Sequence, residues 1–402
     1  MRNDVPADLE KSQEIQGKII HVTEGMELSL GGTTQFVTTL CKTLSASGFE
    51  PEIWVPGQNK AGEFSDNDIL IRKFEISSPR FICRCKELYP ALKGLYPKPA
   101  LIHQHGLWLD PYRVAAGFAR KHGILFMISL HGMLEPWALQ RSSFKKKIAW
   151  SVFQGHDVRM ASCLHAATRR EAENIRKLGI KTPIAVIPNG IKIQDTKPGI
   201  EDIFTYYPFL ADKRIILSLG RIHPVKGLDF FGKVWSGVAD DFPDWHWVIA
   251  GPDEDNYQSV LTKLFNDLNI SGRTTFVSSV HGAKKFALLN ASEFLILPSY
   301  LESFGIVVLE ALNEETPVMA TTNCPWPELE SCECGWWLKQ DVGIWESALR
   351  KVMNMDSLML NHFGINGKSL VRKKYTEGQL SRSMTDVYKW VLFGSRPPSC
   401  LY

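Results

Sequence analysis

Short apolar runs recur along this 402-residue chain, most of them followed by a stretch of helical length. Lys18-Ile-Ile-His-Val-Thr23 is the first, and Pro51–Pro56, Leu101–Gln104, Leu125–Leu130, Cys163–Ala167 and Ile184–Ile187 follow. A short apolar run reads as a strand buried on both faces, and strands that alternate with helices pair in parallel. The pattern therefore predicts a parallel sheet covered by helices. Pro188-Asn189-Gly190 is a turn signal, and the polar start of residues 192–211 has the character of a linker. The rhythm then restarts at Arg214-Ile-Ile-Leu-Ser-Leu-Gly220 and continues through Trp245–Ala250, Thr274–Val277, Phe294–Leu297 and Pro317–Thr321. A single core stops growing at about 250–300 residues, so two doubly wound α/β domains in tandem are the simplest account. They are expected over 17–195 and 205–380. The last helix, from about Glu377 to Phe393, is rich in aromatics and is expected to cross back, adding 381–402 to the first domain. Ligands of such sheets bind beyond the carboxyl ends of the strands, and a cleft between two of them would collect loops from both.

Composition excludes several classes. With 44% hydrophobic and 22% charged residues the chain reads as a soluble globular protein, and no apolar stretch is long enough for a membrane-spanning helix. Residues 1–16 are polar and acidic without an apolar core, which predicts a disordered extension and not a signal peptide. The eight cysteines are scattered, and the pairs Cys83/Cys85 and Cys332/Cys334 have no partner pattern of a zinc site. Free thiols in a reducing cytosol are expected. Net charge is +3, but residues 1–200 hold 27 Lys+Arg against 19 Asp+Glu, and residues 201–402 hold 19 against 24. No nucleic-acid partner is expected. In the basic half, Arg141-Ser-Ser-Phe-Lys-Lys-Lys-Ile-Ala-Trp150 interleaves cations with Phe144, Ile148 and Trp150. Two readings stand side by side: a helix lying on an anionic membrane, or a solvated basic face.

The stretch Ser299-Tyr-Leu-Glu-Ser-Phe-Gly-Ile-Val-Val-Leu-Glu-Ala311, just after Phe294–Pro298, carries the strongest chemical signal. A buried strand ends, a loop presents Glu302, a glycine follows, and a helix carrying Glu310 begins. The loop carboxylate could take sugar hydroxyls, the free N–H groups of the helix start could take phosphate, and Glu310, about two helical turns further on, could take a ribose. An ordinary strand-loop-helix with two solvated glutamates is the plainer reading. After the first strand of the second set, Gly220-Arg221-Ile-His-Pro-Val-Lys226-Gly227 places two cations five apart beyond a glycine. Arg supplies a planar fork and Lys a point charge for a diphosphate. The spacing matches neither the dinucleotide glycine fingerprint nor a P-loop. Gly31-Gly32 precedes a helix expected from about Thr33 to Ser47; it allows close backbone approach to an anion, or is simply a helix-entry turn. His131-Gly132 closes one strand of the first set, and His103-Gln-His105-Gly-Leu-Trp108 closes another. His105 and Trp108 could line an acceptor pocket. His103 and His105 could ligate a metal, with no third ligand in view. Asp253-Glu-Asp255 is similar to a metal-holding Asp-x-Asp but is expected to be a solvated loop.

Taken together, Gly31-Gly32, His131-Gly132, Ile187-Pro-Asn-Gly190, Gly220-Arg221 with Lys226-Gly227, Pro298-Ser299 and the spaced Glu302 and Glu310 resemble retaining glycosyltransferase family 4, the group 1 glycosyl transferases, from about residue 17 onward. His105-Gly-Leu-Trp108, Gly132-Met-Leu-Glu-Pro-Trp137 and His165-Ala-Ala-Thr168 look like a subgroup of bacterial polysaccharide biosynthesis. The resemblance implies a GT-B fold, two Rossmann-like domains facing a cleft, and transfer from a nucleotide-diphosphate sugar, UDP or GDP, to a glycan or lipid-linked glycan. It implies exopolysaccharide, O-antigen or capsule synthesis, in the cytoplasm with peripheral contact to the inner face of the membrane. It implies no metal and no cofactor, with Glu302, Arg221, Lys226 and His131 as catalytic residues. Gly31, Gly32, Gly220, Ser303, Phe304, Gly305, Ile306, Val307 and Glu310 would bind the donor. Many relatives have a glycine at the strand end that here reads Phe276-Val277-Ser278-Ser279, beside the nucleotide base. The alternatives are a sugar-nucleotide epimerase of the same fold and a non-catalytic nucleotide-sugar-binding protein.

Overall fold

The computed structural model describes residues 17–26, 32–57, 61–66, 69–140, 143–193 and 201–402. Residues 1–16, Gly31 and residues 194–200, where the extension, part of the glycine pair and part of the linker were expected, lie outside them. The chain divides into two compact units: one runs to Ile187 and takes up Ser381–Tyr402, and the other is Pro188–Leu380.

The first unit is built on β1 (Lys18–Thr23), β2 (Glu50–Gly57), β3 (Gly62–Asp66), β4 (Ile69–Glu75), β5 (Leu101–His105), β6 (Leu125–Ser129), β7 (Cys163–Ala166) and β8 (Ile184–Val186), in the order β3-β4-β2-β1-β5-β6-β7-β8. All neighbours are parallel except β3 and β4. Every residue of β5 is buried, as are all but the first of β1, because helices cover both faces of a parallel sheet. The sequence reading missed β3 and β4. β3 is exposed along its whole length, so it has no apolar run to find. In β4, Arg72 and Lys73 interrupt the apolar pattern, and Arg72 reaches across to Glu52 and Glu63. The last helix, Glu377–Phe393, brings Tyr388 into the first unit, where its side chain is fully buried against His103.

The second unit follows with β9 (Arg214–Leu219), β10 (Trp245–Ala250), β11 (Thr274–Val277), β12 (Ser292–Leu297), β13 (Val318–Thr321) and β14 (Gly335–Leu338), in the order β11-β10-β9-β12-β13-β14, all parallel. Its core holds the fully buried rings of Trp235, Trp247, Phe231, Phe265, Phe294 and Trp345. The short edge strand β14 was not expected from the sequence.

Each sheet reverses its strand order once, between β1 and β5 in the first unit and between β9 and β12 in the second. At such a switch point the loops leave in opposite directions and open a crevice beyond the carboxyl ends of the strands. The residues with chemistry lie at these two places. No helix among the described residues is long and apolar enough to cross a membrane.

Candidate active site

In the second unit, β9 ends at Leu219 and the chain turns through Gly220 to Arg221. A short turn, Pro224–Lys226, then brings Lys226 back toward the loop that follows β12. The return depends on Gly227, which has a φ of 65° and lies so close to the Pro298 carbonyl that a Cβ would stand 2.1 Å from its oxygen. Only glycine fits both conditions. Lys226 Nζ then meets Glu302 Oε2 at 2.6 Å, although 76 positions separate them. Leu219, Gly220, Arg221, Lys226, Leu297 and Pro298 line a small hollow at this switch point.

Arg221 is exposed and pairs with Glu254 at 2.5 Å. The Asp253-Glu-Asp255 loop thus divides its roles: Glu254 holds Arg221, and Asp253 accepts from the Gln258 N–H at the start of the next helix. After Glu302 the chain passes Ser303 and the buried Phe304 to Gly305, whose φ of 84° caps the helix Ile306–Asn313. The Phe304 carbonyl accepts from Trp326 Nε1 at 2.5 Å, which fixes this loop on the core. Ile306 and Val307 stand in the first turn of that helix, whose N–H groups have no intrahelical acceptors. Glu310 sits in the next turn, mostly buried, and receives Lys285 at 2.6 Å. Glu254 and Lys285 were not foreseen from the sequence, since nothing local marks a residue as the partner of a distant charge.

In the first unit, His131 follows β6 with a φ of 49°, and Gly132 with a φ of 76°. A non-glycine residue is uncommon in this region, and the buried Glu171 side chain holds the turn: it accepts from Gly132 N–H at 2.6 Å and from Ala167 N–H at 2.8 Å. Burial pushes the Glu171 carboxyl up to about 7, against the two N–H bonds that favour its charged form. The local signal was present in the sequence. Thr168 caps the helix Arg169–Lys177 by accepting from Glu171 N–H, the spacing of a capping box.

Around the switch point of this unit lie five histidines: His21 on β1, His103 and His105 on β5, His131 after β6 and His165 on β7. The register pairs His21 with His103 and Thr23 with His105. His21 Nδ1 lies 2.9 Å from His105 Nε2, and His105 Nδ1 lies 3.4 Å from His131 Nε2. His103 bonds Tyr388 at 2.5 Å and Ser129 at 2.9 Å; Ser129 bonds His165 at 2.8 Å, and His165 donates to the Ile187 carbonyl at 2.8 Å. Burial lowers all five from the ordinary imidazole value, His21 and His131 to about 3 and His165 to about 4. His105 was expected to line an acceptor pocket. It is buried and stacked on His21 and His131, and both its ring nitrogens are engaged inside the protein. Trp108 is half-buried with a φ of 79°; its backbone N–H donates to Gln154 Oε1 and its ring lies under Lys146 at 5.7 Å.

The third histidine that could complete a ligand set, and that the sequence did not reveal, is His21. Among the described residues, His21, His103 and His105 bring one nitrogen each within 4.8 Å of one another. The 2.9 Å contact of His21 with His105 is a hydrogen-bond distance. Two nitrogens on a tetrahedral zinc at about 2.0–2.1 Å would stand roughly 3.3 Å apart. As it stands the cluster is a hydrogen-bonded one.

Both halves of the chain match known families. The sequence model of Glycosyltransferase Family 4 matches residues 30–195, and that of Glycosyl transferases group 1 matches residues 200–369. Among curated relatives, a D-inositol 3-phosphate glycosyltransferase of Mycolicibacterium smegmatis is 25% identical over 216 residues, which is 51% of this chain and 49% of that protein. An uncharacterized glycosyltransferase of Haemophilus influenzae is 31% identical over 113 residues, 28% of this chain and 31% of that protein. The chain thus spans half or less of the length of these relatives. Among solved structures, sucrose-phosphate synthase of Thermosynechococcus elongatus superposes with a TM-score of 0.78 at 18% identity, covering 94% of this chain and 100% of that one. Anabaena HepE in complex with UDP-glucose gives 0.74 at 16% identity, over 93% and 99%. WaaG, a glycosyltransferase involved in lipopolysaccharide biosynthesis, gives 0.71 at 16%, over 92% and 99%. These likenesses establish the shared two-domain GT-B fold, and with both halves of its sequence matched the chain belongs to glycosyltransferase family 4, the group 1 glycosyl transferases.

Proposed function

We propose that this chain transfers a sugar from a UDP- or GDP-sugar to a glycan acceptor, with retention of anomeric configuration. The observation that carries the reading is the convergence at the carboxyl ends of β9 and β12. Lys226 lies against Glu302, Arg221 lies just past Gly220, the helix Ile306–Asn313 begins there, and Glu310 follows in its second turn. Lys226, Arg221 and the helix N–H groups suit a diphosphate, because charge that develops on a leaving phosphate is met by fixed donors. Glu302 suits the sugar hydroxyls and Glu310 the ribose. Each carboxylate is held by a lysine, Glu302 by Lys226 and Glu310 by Lys285. In the transfer, the bond from the sugar C1 to the diphosphate oxygen breaks, the acceptor oxygen bonds to C1 on the same face, and the acceptor proton passes to the leaving diphosphate. These groups meet the charge without a metal.

The acceptor in this reading is lipid-linked, as in assembly of bacterial surface polysaccharide. Its support is the helix Ser143–Ala149 and its continuation. Phe144, Ile148 and Val152, spaced four apart, are 75%, 50% and 73% exposed, and Lys145 and Lys147 are exposed beside them. Apolar side chains flanked by cations suit the surface of an anionic bilayer. Lys146 takes no part, because it is turned onto the Ala138 carbonyl and the Trp108 ring.

The test is a thermal-shift screen against UDP-, GDP-, ADP- and TDP-sugars without added metal, followed by transfer to lipid-linked glycan. A ligand that binds only the native state raises the melting temperature. A shift with one nucleotide and a retained anomeric product support the proposal. Conversion of the donor to an epimer without acceptor, or no shift with any donor in folded protein, would overturn it.

A further inference from the structure

The histidines of the first unit form two separate hydrogen-bond chains. A neutral imidazole carries one N–H and one bare nitrogen, and which is which follows from its partners. In the first chain the Ile187 carbonyl can only accept, so His165 Nε2 carries the proton and His165 Nδ1 is bare. Ser129 must then donate to His165. Its oxygen accepts from His103 Nε2–H, and His103 Nδ1 accepts from the Tyr388 hydroxyl. Every proton in that chain is determined by one backbone carbonyl.

The second chain runs from His21 through His105 to His131. Its far end is His21 Nε2, which is buried and has no hydrogen-bond partner. An orphaned buried N–H is rarer in proteins than an orphaned acceptor, so His21 Nε2 is the bare nitrogen. His21 Nδ1–H then donates to His105 Nε2 at 2.9 Å. His105 must carry its proton on Nδ1, and it donates to His131 Nε2 at 3.4 Å. That leaves the His131 proton on Nδ1, the one ring nitrogen not turned toward the chain. The backbone of the same residue is held by Glu171 through Gly132.

We infer that His21 and His105 are positioning residues that hold His131 as its Nδ1–H tautomer, so that a sugar reaching this ring meets a hydrogen-bond donor. The catalytic part of this inference rests on the proposed transfer reaction, but the tautomer does not. Water alone would leave a histidine at this position as a mixture of tautomers that can both donate and accept. The buried chain selects one, which favours a ligand oxygen with a lone pair.

The experiment is a two-bond proton–nitrogen correlation spectrum of the full chain with labelled histidine at neutral pH. His165 and His103 serve as internal references, expected as Nε2–H, and His131 is expected as Nδ1–H. A His131 signal with the proton on Nε2 overturns the inference whatever the enzyme's activity. His105→Phe keeps a ring in the stack and removes both bonds. It is expected to turn the His131 signal into a tautomer average and to lower kcat about tenfold, the effect of one hydrogen bond, with a smaller change in donor KM. His21→Phe, which touches the chain one step earlier, is expected to shift the same signal and stands in if His105→Phe does not fold. An unchanged His131 signal in the variants that fold, or one equivalent of tightly held transition metal in the purified protein, would overturn the assignment. Failure to find transferase activity with the Nδ1–H signal in place would count against the proposed function alone.

Discussion

Acidification should unfold the first unit well before most carboxylates are protonated. His21 and His131 are lowered to about 3 and His165 to about 4, chiefly by burial. In the unfolded chain each returns to the ordinary value near 6.5. As the pH falls through 6.5 the unfolded chain takes up a proton at each site that the native protein refuses, so stability falls with pH. Between pH 7 and pH 5 each such imidazole costs about 2 kcal/mol, and the three together about 6 kcal/mol. Glu171 acts in the opposite sense. Its carboxyl is raised to about 7, so the native protein takes up that proton first and gains about 2 kcal/mol over the same interval. The balance is a loss of about 4 kcal/mol, to which His103 and His105, also lowered by burial, add. That is a large part of the roughly 5–15 kcal/mol that holds a typical domain together. Urea unfolding at pH 7 and pH 5, with hydrogen exchange read on the peptides covering β1, β5, β6 and β7, measures it. His21→Phe should recover about 2 kcal/mol of the loss. Equal unfolding free energies at the two pH values, or imidazole signals that titrate near 6.5, would refute the reasoning.

Lys226→Ala should lower turnover about a hundredfold or more, as loss of a charge-stabilising donor does; steady-state kinetics decides, and wild-type turnover would remove the diphosphate assignment. Gly227→Ala should cost at least 3 kcal/mol of stability, since its Cβ would stand 2.1 Å from the Pro298 oxygen at a φ of 65°; denaturant unfolding checks this, and a stable, active variant would show that the loop can shift. Replacing Phe144, Ile148 and Val152 together by serine should reduce sedimentation with anionic vesicles severalfold and leave turnover on a soluble acceptor unchanged; equal vesicle binding by both proteins would remove this helix as a membrane contact.

The strands that carry the site were legible because their signal is local. Lys18–Thr23 and Trp245–Ala250 stand where the apolar runs put them, since a strand buried on both faces is largely apolar. The exposed edge strand Gly62–Asp66 has no such requirement and left no trace. The loop after β12 was legible for the same local reason: a strand end, a glutamate, a glycine and a helix start follow one another within a few residues. What the sequence could not show is which distant side chains meet. Lys285 reaches Glu310 across 25 positions, Glu171 reaches Gly132 across 39, and His21 reaches His105 across 84. These meetings are set by strand register and by the place where each sheet reverses its order. His105, which by its place at a strand end was expected to line an acceptor pocket, is buried where β1 pairs with β5. The sequence by itself determined the two parallel sheets, the glycine-bounded loops and the family, because periodicity and short motifs lie along the chain. Tertiary structure alone decided which charges pair and which ring nitrogens of the five histidines meet, because those depend on atoms that only folding brings within hydrogen-bond reach.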